Sequence, residues 1–168
     1  MALATRPSLQ GRFSLVYSGD PALQPRPADL PEATPEEQTT RKKEQEDFDA
    51  ALNACRETGQ WASMIIPGAA PTVFSFALPR GEEKRALLDA FVGLMVAGKA
   101  TLAASRLFRA TFKDATNWPG PKITFVRDDG IQLVNEDVVE FLDEQVTPAV
   151  IGEFGTFIYE RLKGPSGK

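Results

Sequence analysis

The sequence predicts an α+β fold, and three observations carry that expectation. Apolar and polar residues alternate over short runs at 12–18 and 72–78, the period of a half-buried strand. Asp129-Gly130 separates two further short runs, at 122–127 and 131–134, and is the residue pair a type I′ hairpin turn requires. Between and after these lie longer stretches with helical apolar spacing, each bounded by capping or breaking residues. With 168 residues, 42% of them hydrophobic and 25% charged, the chain fits one domain that buries its core without staples.

Phe13, Leu15 and Tyr17 alternate with Ser14, Val16 and Ser18 in the first strand. Pro21, Pro25, Pro27 and Pro31 follow, and prolines at that density block both helix and ladder bonding. Residues 1–33 are therefore expected to form an extended N-terminal arm, 34–164 a single globular domain and 165–168 a frayed tail. Thr34, Pro35 and Glu37 make a capping box for a helix that Gly59 ends. Its first turns are polar, and the apolar stripe begins only at Phe48, Ala51, Leu52 and Cys55. Residues 61–66 are a further strand candidate, with Pro67-Gly68 as a turn before the strand in which Phe74, Phe76 and Leu78 share a face. Helices are expected at 82–97 and 99–113, jointed at Gly98, with the loop 117–121 after them. The hairpin at Asp129-Gly130 should pair with an earlier strand, giving one small antiparallel sheet, since two strands alone are marginal and need that partner or a helix beneath them. Asn135 is expected to cap a helix over 136–146, and a last helix over 148–163 carries the stripe Val150, Ile151, Phe154, Phe157, Ile158 and Leu162. The expected core is Phe74, Phe76, Leu87, Leu88, Phe91, Leu94, Phe125, Leu133, Phe141, Leu142, Phe154, Phe157 and Ile158.

Composition narrows the chemistry. The chain has no histidine, which removes the commonest general base and transition-metal ligand. One cysteine, Cys55, can form no intramolecular disulfide, which fits a reducing, cytoplasmic setting. Residues 1–12 lack the apolar core of a signal peptide. The most apolar run, 86–97, is interrupted by Asp89, is too short to span a bilayer and is expected to be a buried core helix. A net charge of −4 argues against a general nucleic-acid binder, which must displace phosphate counterions with cations.

Several candidate sites have plainer explanations. Gly164-Pro165-Ser166-Gly167-Lys168 is similar to the end of a phosphate-binding loop, but it follows a helix rather than opening one. Asp128, Asp129, Glu136 and Asp137 offer oxygens to a hard cation, yet turn and cap roles account for them and their spacing is not that of a calcium loop. Cys55 falls on the apolar stripe with Phe48 and Leu52 and reads as a small buried hydrophobe. Asp89, within the apolar run, either marks the helix's solvent edge, the plainer reading, or is buried with a partner such as Arg85. No metal or cofactor site is expected.

Charge segregation is the least generic feature. From Arg80 to Lys113, Arg80, Lys84, Arg85, Lys99, Arg106, Arg109 and Lys113 outnumber Glu82, Glu83 and Asp89, whereas every charged residue from Asp128 to Glu160 is acidic. One reading is a solvated face, or mutual attraction between the acidic and basic helices; the other is a docking surface for a basic partner. Arg106, Arg109 and Lys113 beside Phe108 and Phe112 have the composition of a single-strand nucleic-acid platform, but Leu102, Phe108 and Phe112 more simply form a core side.

A polar, proline-rich leader, the strand Pro71-Thr72-Val73-Phe74-Ser75-Phe76-Ala77-Leu78 running into a charged-then-apolar helix, and an acidic helical end give a layout that resembles small tail-assembly or structural proteins of tailed bacteriophages. The resemblance implies protein–protein work in virion assembly, as chaperone or component, in host cytoplasm or particle. The expected function is thus a non-enzymatic interaction or assembly protein. Its partners are other proteins, with neither nucleic acid nor membrane, and its docking residues are Leu15, Tyr17, Leu23 and Leu30 of the arm with Glu140, Asp143 and Glu144 of the acidic face. An acidic inhibitor mimicking nucleic acid through its 128–160 carboxylates is the alternative, and an enzyme using carboxylates alone is the third.

Overall fold

The computed structural model describes residues 11–27, 30–31 and 34–164, so the expected tail and the Ser166-Gly167-Lys168 end of the phosphate-loop lookalike lie outside the described residues. The fold is α+β. Among the described residues, five α-helices pack with two small antiparallel sheets.

The first sheet has the order β1 (Arg12–Leu15), β2 (Val73–Ala77), β3 (Phe112–Thr116), with β2 central. Phe13 lies opposite Phe76 and Leu15 opposite Phe74, as a period of two requires. A register shift between Ser75 and Phe76 sets Phe76 against Phe112 on the other side. The helix expected over 99–113 stops at Thr111, because Phe112 turns extended (ψ 135°) and begins β3. Helical spacing alone did not separate these residues; the sheet's need for a second edge did.

One face of this sheet holds the main core. Phe74, Phe76, Phe108, Phe112 and Phe154 interlock there, mostly edge-to-face, with Phe74 and Phe154 centroids 5.0 Å apart. Helices α3 (Ala100–Thr111) and α5 (Ala149–Lys163) supply Phe108 and Phe154. A separate cluster of Val16, Leu23, Phe48, Leu52, Cys55, Trp61 and Met64 lies under α1 (Pro35–Thr58). Thr34 caps α1 by accepting the Glu37 N–H at 3.3 Å, and Gly59 closes it at φ 73°. Phe48, Leu52 and Cys55 are buried as expected, but Ala51 is exposed.

The second cluster corrects one expectation. Residues 61–66 form a turn rather than a strand. Trp61 and Met64, three residues apart, both plug the cluster, and only Ile65 bridges to Leu23. The described part of the N-terminal arm packs against the domain. β1 is a sheet strand, and Leu15, Val16 and Leu23 are buried at 0%, 0% and 2% exposure. Three carbonyls farther along the arm, those of Pro27, Leu30 and Pro31, accept from the Arg41 guanidinium, which holds the arm along α1.

The hairpin forms as expected between β4 (Phe125–Asp128) and β5 (Ile131–Val134), with Asp129 and Gly130 at φ 51° and 77°. It makes its own two-stranded sheet instead of joining an earlier strand. Support comes from the helix beneath it: Ile131, Leu133 and Val134 are buried towards the core, and the Val134 carbonyl accepts from Arg109 Nε at 2.8 Å. Consequently β4 stays outside, and Phe125, an expected core residue, is 37% exposed. Asn135 does not cap with its side chain. Its Oδ1 accepts from the Thr124 N–H at 3.0 Å and so closes the hairpin's open end.

The helix expected over 136–146 divides into α4 (Glu136–Phe141) and a π-helical turn (Leu142–Val146), closed by the Thr147 N–H donating to the Leu142 carbonyl at 2.8 Å. Helix α2 (Gly81–Val96) departs furthest from expectation. Its apolar run predicts a buried core helix, yet Leu87 is its one buried residue. Leu88, Phe91 and Leu94 are half-buried, as are Phe141 and Phe157, while Leu102 of α3 is 52% exposed rather than on the core side. Asp89 is exposed.

Candidate docking surface

An apolar cavity of about 290 Å³ opens beside the N-terminal end of β2. Tyr17, Phe74, Trp118, Phe141, Leu142, Val146 and Val150 supply its apolar wall, and Asp20, Thr72 and Pro119 also line it. Its size is at the small end of ligand pockets, room for an anchoring side chain rather than a large molecule.

The wall is held from several directions. Trp118 packs edge-on to Phe74 at 5.9 Å and to Phe141 at 5.2 Å, and its indole N–H donates to the Pro121 carbonyl at 2.7 Å. The loop that carries it is latched to the lead-in of β2. Asn117, at φ 56°, donates from Nδ2 to the Pro71 carbonyl at 3.1 Å, and Thr72 Oγ1 donates to the Asn117 carbonyl at 2.9 Å. Gly120 has to be glycine, since a Cβ there would lie 2.7 Å from Trp118 Cε2 and 2.9 Å from Phe141 Cδ1. On the other lip the Asp20 carboxylate accepts the N–H groups of Ala22 at 2.8 Å and Thr72 at 3.1 Å, tying the arm to the same lead-in. The cavity is thus preorganised, which lowers the entropic cost of filling it.

Carboxylates stand on the segment that forms the far wall. Glu140 precedes Phe141, and Asp143 and Glu144 lie in the π-helical turn between Leu142 and the half-exposed Val146. Partial burial raises the Asp143 carboxyl above its ordinary range, and the Glu144 charge adds to the effect. Among the described residues no cation pairs with Glu140, Asp143 or Glu144. The start of the acidic run differs. Asp128 meets Arg106 at 3.3 Å and Glu136 meets Arg109 at 3.5 Å, so mutual attraction between acidic and basic elements accounts for that end. Among the described residues no group of three or more acidic or sulfur side chains is placed to hold a metal ion, and no helix is long and apolar enough to cross a membrane.

No family model, curated protein or solved structure matches this chain.

Of the residues the sequence singled out for docking, Tyr17 lines the cavity and Glu140, Asp143 and Glu144 lie on its wall segment. Leu15 and Leu23 are unavailable to a partner, because each is buried in a core cluster. Leu30 is 40% exposed beside α1, on a part of the arm that does not line the cavity. Trp118 and Val146 escaped notice. The signal for Trp118 was a large aromatic inside a Pro- and Gly-bounded loop, where no core stripe explains it; Val146 sits off every stripe, just before the Thr147-Pro148 break. Cys55 is buried, 3.8 Å from Ser63 Oγ, and packs as the small hydrophobe its place on the apolar stripe predicts.

Proposed function

We propose that this chain is a non-enzymatic docking protein, whose cavity takes an apolar side chain from a basic segment of another protein. One observation carries the reading: the short segment 140–146, which supplies one wall of the preorganised apolar cavity that Trp118 also lines, bears carboxylates that have no cation partner among the described residues. Apolar anchors set affinity, while exposed carboxylates steer a cationic partner and select against an anionic one. A role in the assembly of a tailed-phage particle, as chaperone or component, is a proposal of the same kind and draws its support from the sequence layout. Nucleic-acid mimicry is less well supported, because Arg106 and Arg109 neutralise Asp128 and Glu136 and interrupt the carboxylate run.

The test uses fluorescence of Trp118 in a Trp61→Phe background, titrated with synthetic peptides in which Lys or Arg alternates with Leu or Phe. Binding should shift Trp118 emission. It should weaken with salt and fail for peptides carrying Glu in place of the basic residues or Ser in place of the apolar ones. Replacing Glu140, Asp143 and Glu144 with lysine should lower the association rate and its salt dependence. Equal response to acidic and basic peptides, or none to any, would overturn the proposal.

A further inference from the structure

Asp20 is the only acidic residue among those that line the docking cavity, and it is half-buried. One of its carboxylate oxygens accepts the Ala22 N–H at 2.8 Å and the other the Thr72 N–H at 3.1 Å. Each oxygen keeps a further lone pair, and among the described residues no cation lies within ion-pair distance. Neighbouring donors are already spent. The Trp118 indole N–H serves the Pro121 carbonyl, and the Thr72 hydroxyl serves the Asn117 carbonyl. Of the lining side chains among the described residues, that leaves the Tyr17 hydroxyl with a donor to give.

That pattern restricts what can fill the space. A hydrocarbon side chain strips water from the Asp20 carboxylate and gives no bond back, so part of the apolar gain is lost. An acidic tip meets a like charge. A lysine or arginine tip can reach the carboxylate, but it must shed its own hydration among rings and aliphatic side chains, for a group that already serves two N–H donors. A phenol hydroxyl costs far less to bury and donates one charge-assisted bond. Its ring suits walls in which Trp118 stands edge-on to both Phe74 and Phe141. On the docking reading of this cavity, we propose that the anchoring side chain is an aromatic ring with a donating tip, as in tyrosine, and that Asp20 is the residue that selects it. Glu140, Asp143 and Glu144 do not line the cavity and act on the basic residues that flank the anchor. Charge thus draws the segment in, and Asp20 chooses the side chain that enters.

Calorimetric titration of the full chain tests the proposal, with lysine–glycine peptides that carry one central residue: tyrosine, O-methyltyrosine, phenylalanine, leucine or lysine. Tyrosine should bind about tenfold more tightly than phenylalanine, the size of effect that a hydrogen bond to a charged group has. O-methyltyrosine keeps the ring and loses the donor, so it should bind no better than phenylalanine. In Asp20→Asn, shown to be folded by circular dichroism and its thermal midpoint, the advantage of tyrosine should shrink while phenylalanine binds about as before. If Asp20→Asn did not fold, the comparison of tyrosine with O-methyltyrosine on the wild type would decide alone. Equal affinity for tyrosine, O-methyltyrosine and phenylalanine, or a preference for leucine or lysine, would overturn the role given to Asp20 and leave the docking reading standing. Failure of every peptide to bind would overturn the docking reading and the selection by Asp20 with it.

Discussion

At the scale of single residues, Glu153 joins three parts of the fold. Its carboxylate accepts from the Ser18 N–H at 2.9 Å and from the Ser18 hydroxyl, and it meets the Arg56 guanidinium at 2.8 Å. Arm, α1 and α5 are joined at that point, with Arg56 12% and Glu153 19% exposed. Removing one partner of so enclosed a pair leaves the other charge uncompensated. Glu153→Leu should therefore cost about 3 kcal/mol in chemical denaturation, and the double variant Glu153→Leu with Arg56→Met should recover most of it. Phe154, at 0% exposure, should lose about 3–5 kcal/mol on truncation to alanine. Phe91 should lose clearly less, because it is half-buried and stacks on Tyr159 at 4.5 Å near the surface. Asp143 behaves in the opposite sense from a stabilising carboxylate. Its folded pKa is raised above the ordinary 3.8, so its ionisation opposes folding, and the penalty grows as pH rises through the interval between the two values. Asp143→Asn should raise the denaturation midpoint at neutral pH, with the gain vanishing below the ordinary carboxylate range. A cationic ligand in the neighbouring cavity would favour the charged form, so binding in mildly acid buffer should release protons. Proton uptake would count against that placement of the ligand.

At the scale of elements, the helices with complete punctuation were legible in the sequence. Thr34, Pro35 and Gly59 fix α1 at both ends, and Asp129-Gly130 fixes the hairpin turn. Where no breaker stands, the boundary was lost. Nothing between Arg109 and Asp114 stops a helix, and only the pairing of Phe112 with Phe76 shows why the chain turns extended there. Trp61 and Met64 have strand-like composition, but a three-residue spacing puts both into one cluster as a turn. One close helix contact is also one that no apolar pattern reveals. Gly155 of α5 lies against Ala104 of α3, and a Cβ added to it would come within 2.9 Å of the Ala104 Cβ and 3.3 Å of its Cα. These are the helices that carry Phe108 and Phe154, so their separation sets the packing of the aromatic cluster. Gly155→Leu should drive them apart at a cost of about 1–3 kcal/mol, visible as a lower thermal midpoint and altered near-ultraviolet dichroism. Leucine at Gly152, one turn earlier with open space around it, should be neutral by the same measures.

At the scale of the whole molecule, the sequence located the acidic part of the candidate site but not its cavity. Carboxylates reveal themselves by composition. A cavity needs residues from four distant segments, here Tyr17, Thr72, Trp118 and Val146, and no local pattern joins them. The same distance effect disguised the arm. Its prolines do forbid regular ladders, but they do not forbid burial, and Val16 and Leu23 meet Phe48, Leu52 and Trp61 across an irregular backbone. The arm therefore contributes to both cores: Leu15 to the main one, Val16 and Leu23 to the other. It also provides one of the two neighbours of the central strand β2 and the Ser18 donors to Glu153. These losses fall together on a fold whose whole stability is typically about 5–15 kcal/mol. Deleting residues 1–33 should consequently abolish cooperative unfolding and leave a chain that binds a hydrophobic dye. A truncated chain that kept a sharp transition and the Trp118 response to basic peptides would mean that the domain begins after the arm, and that β1 is dispensable to the sheet it joins.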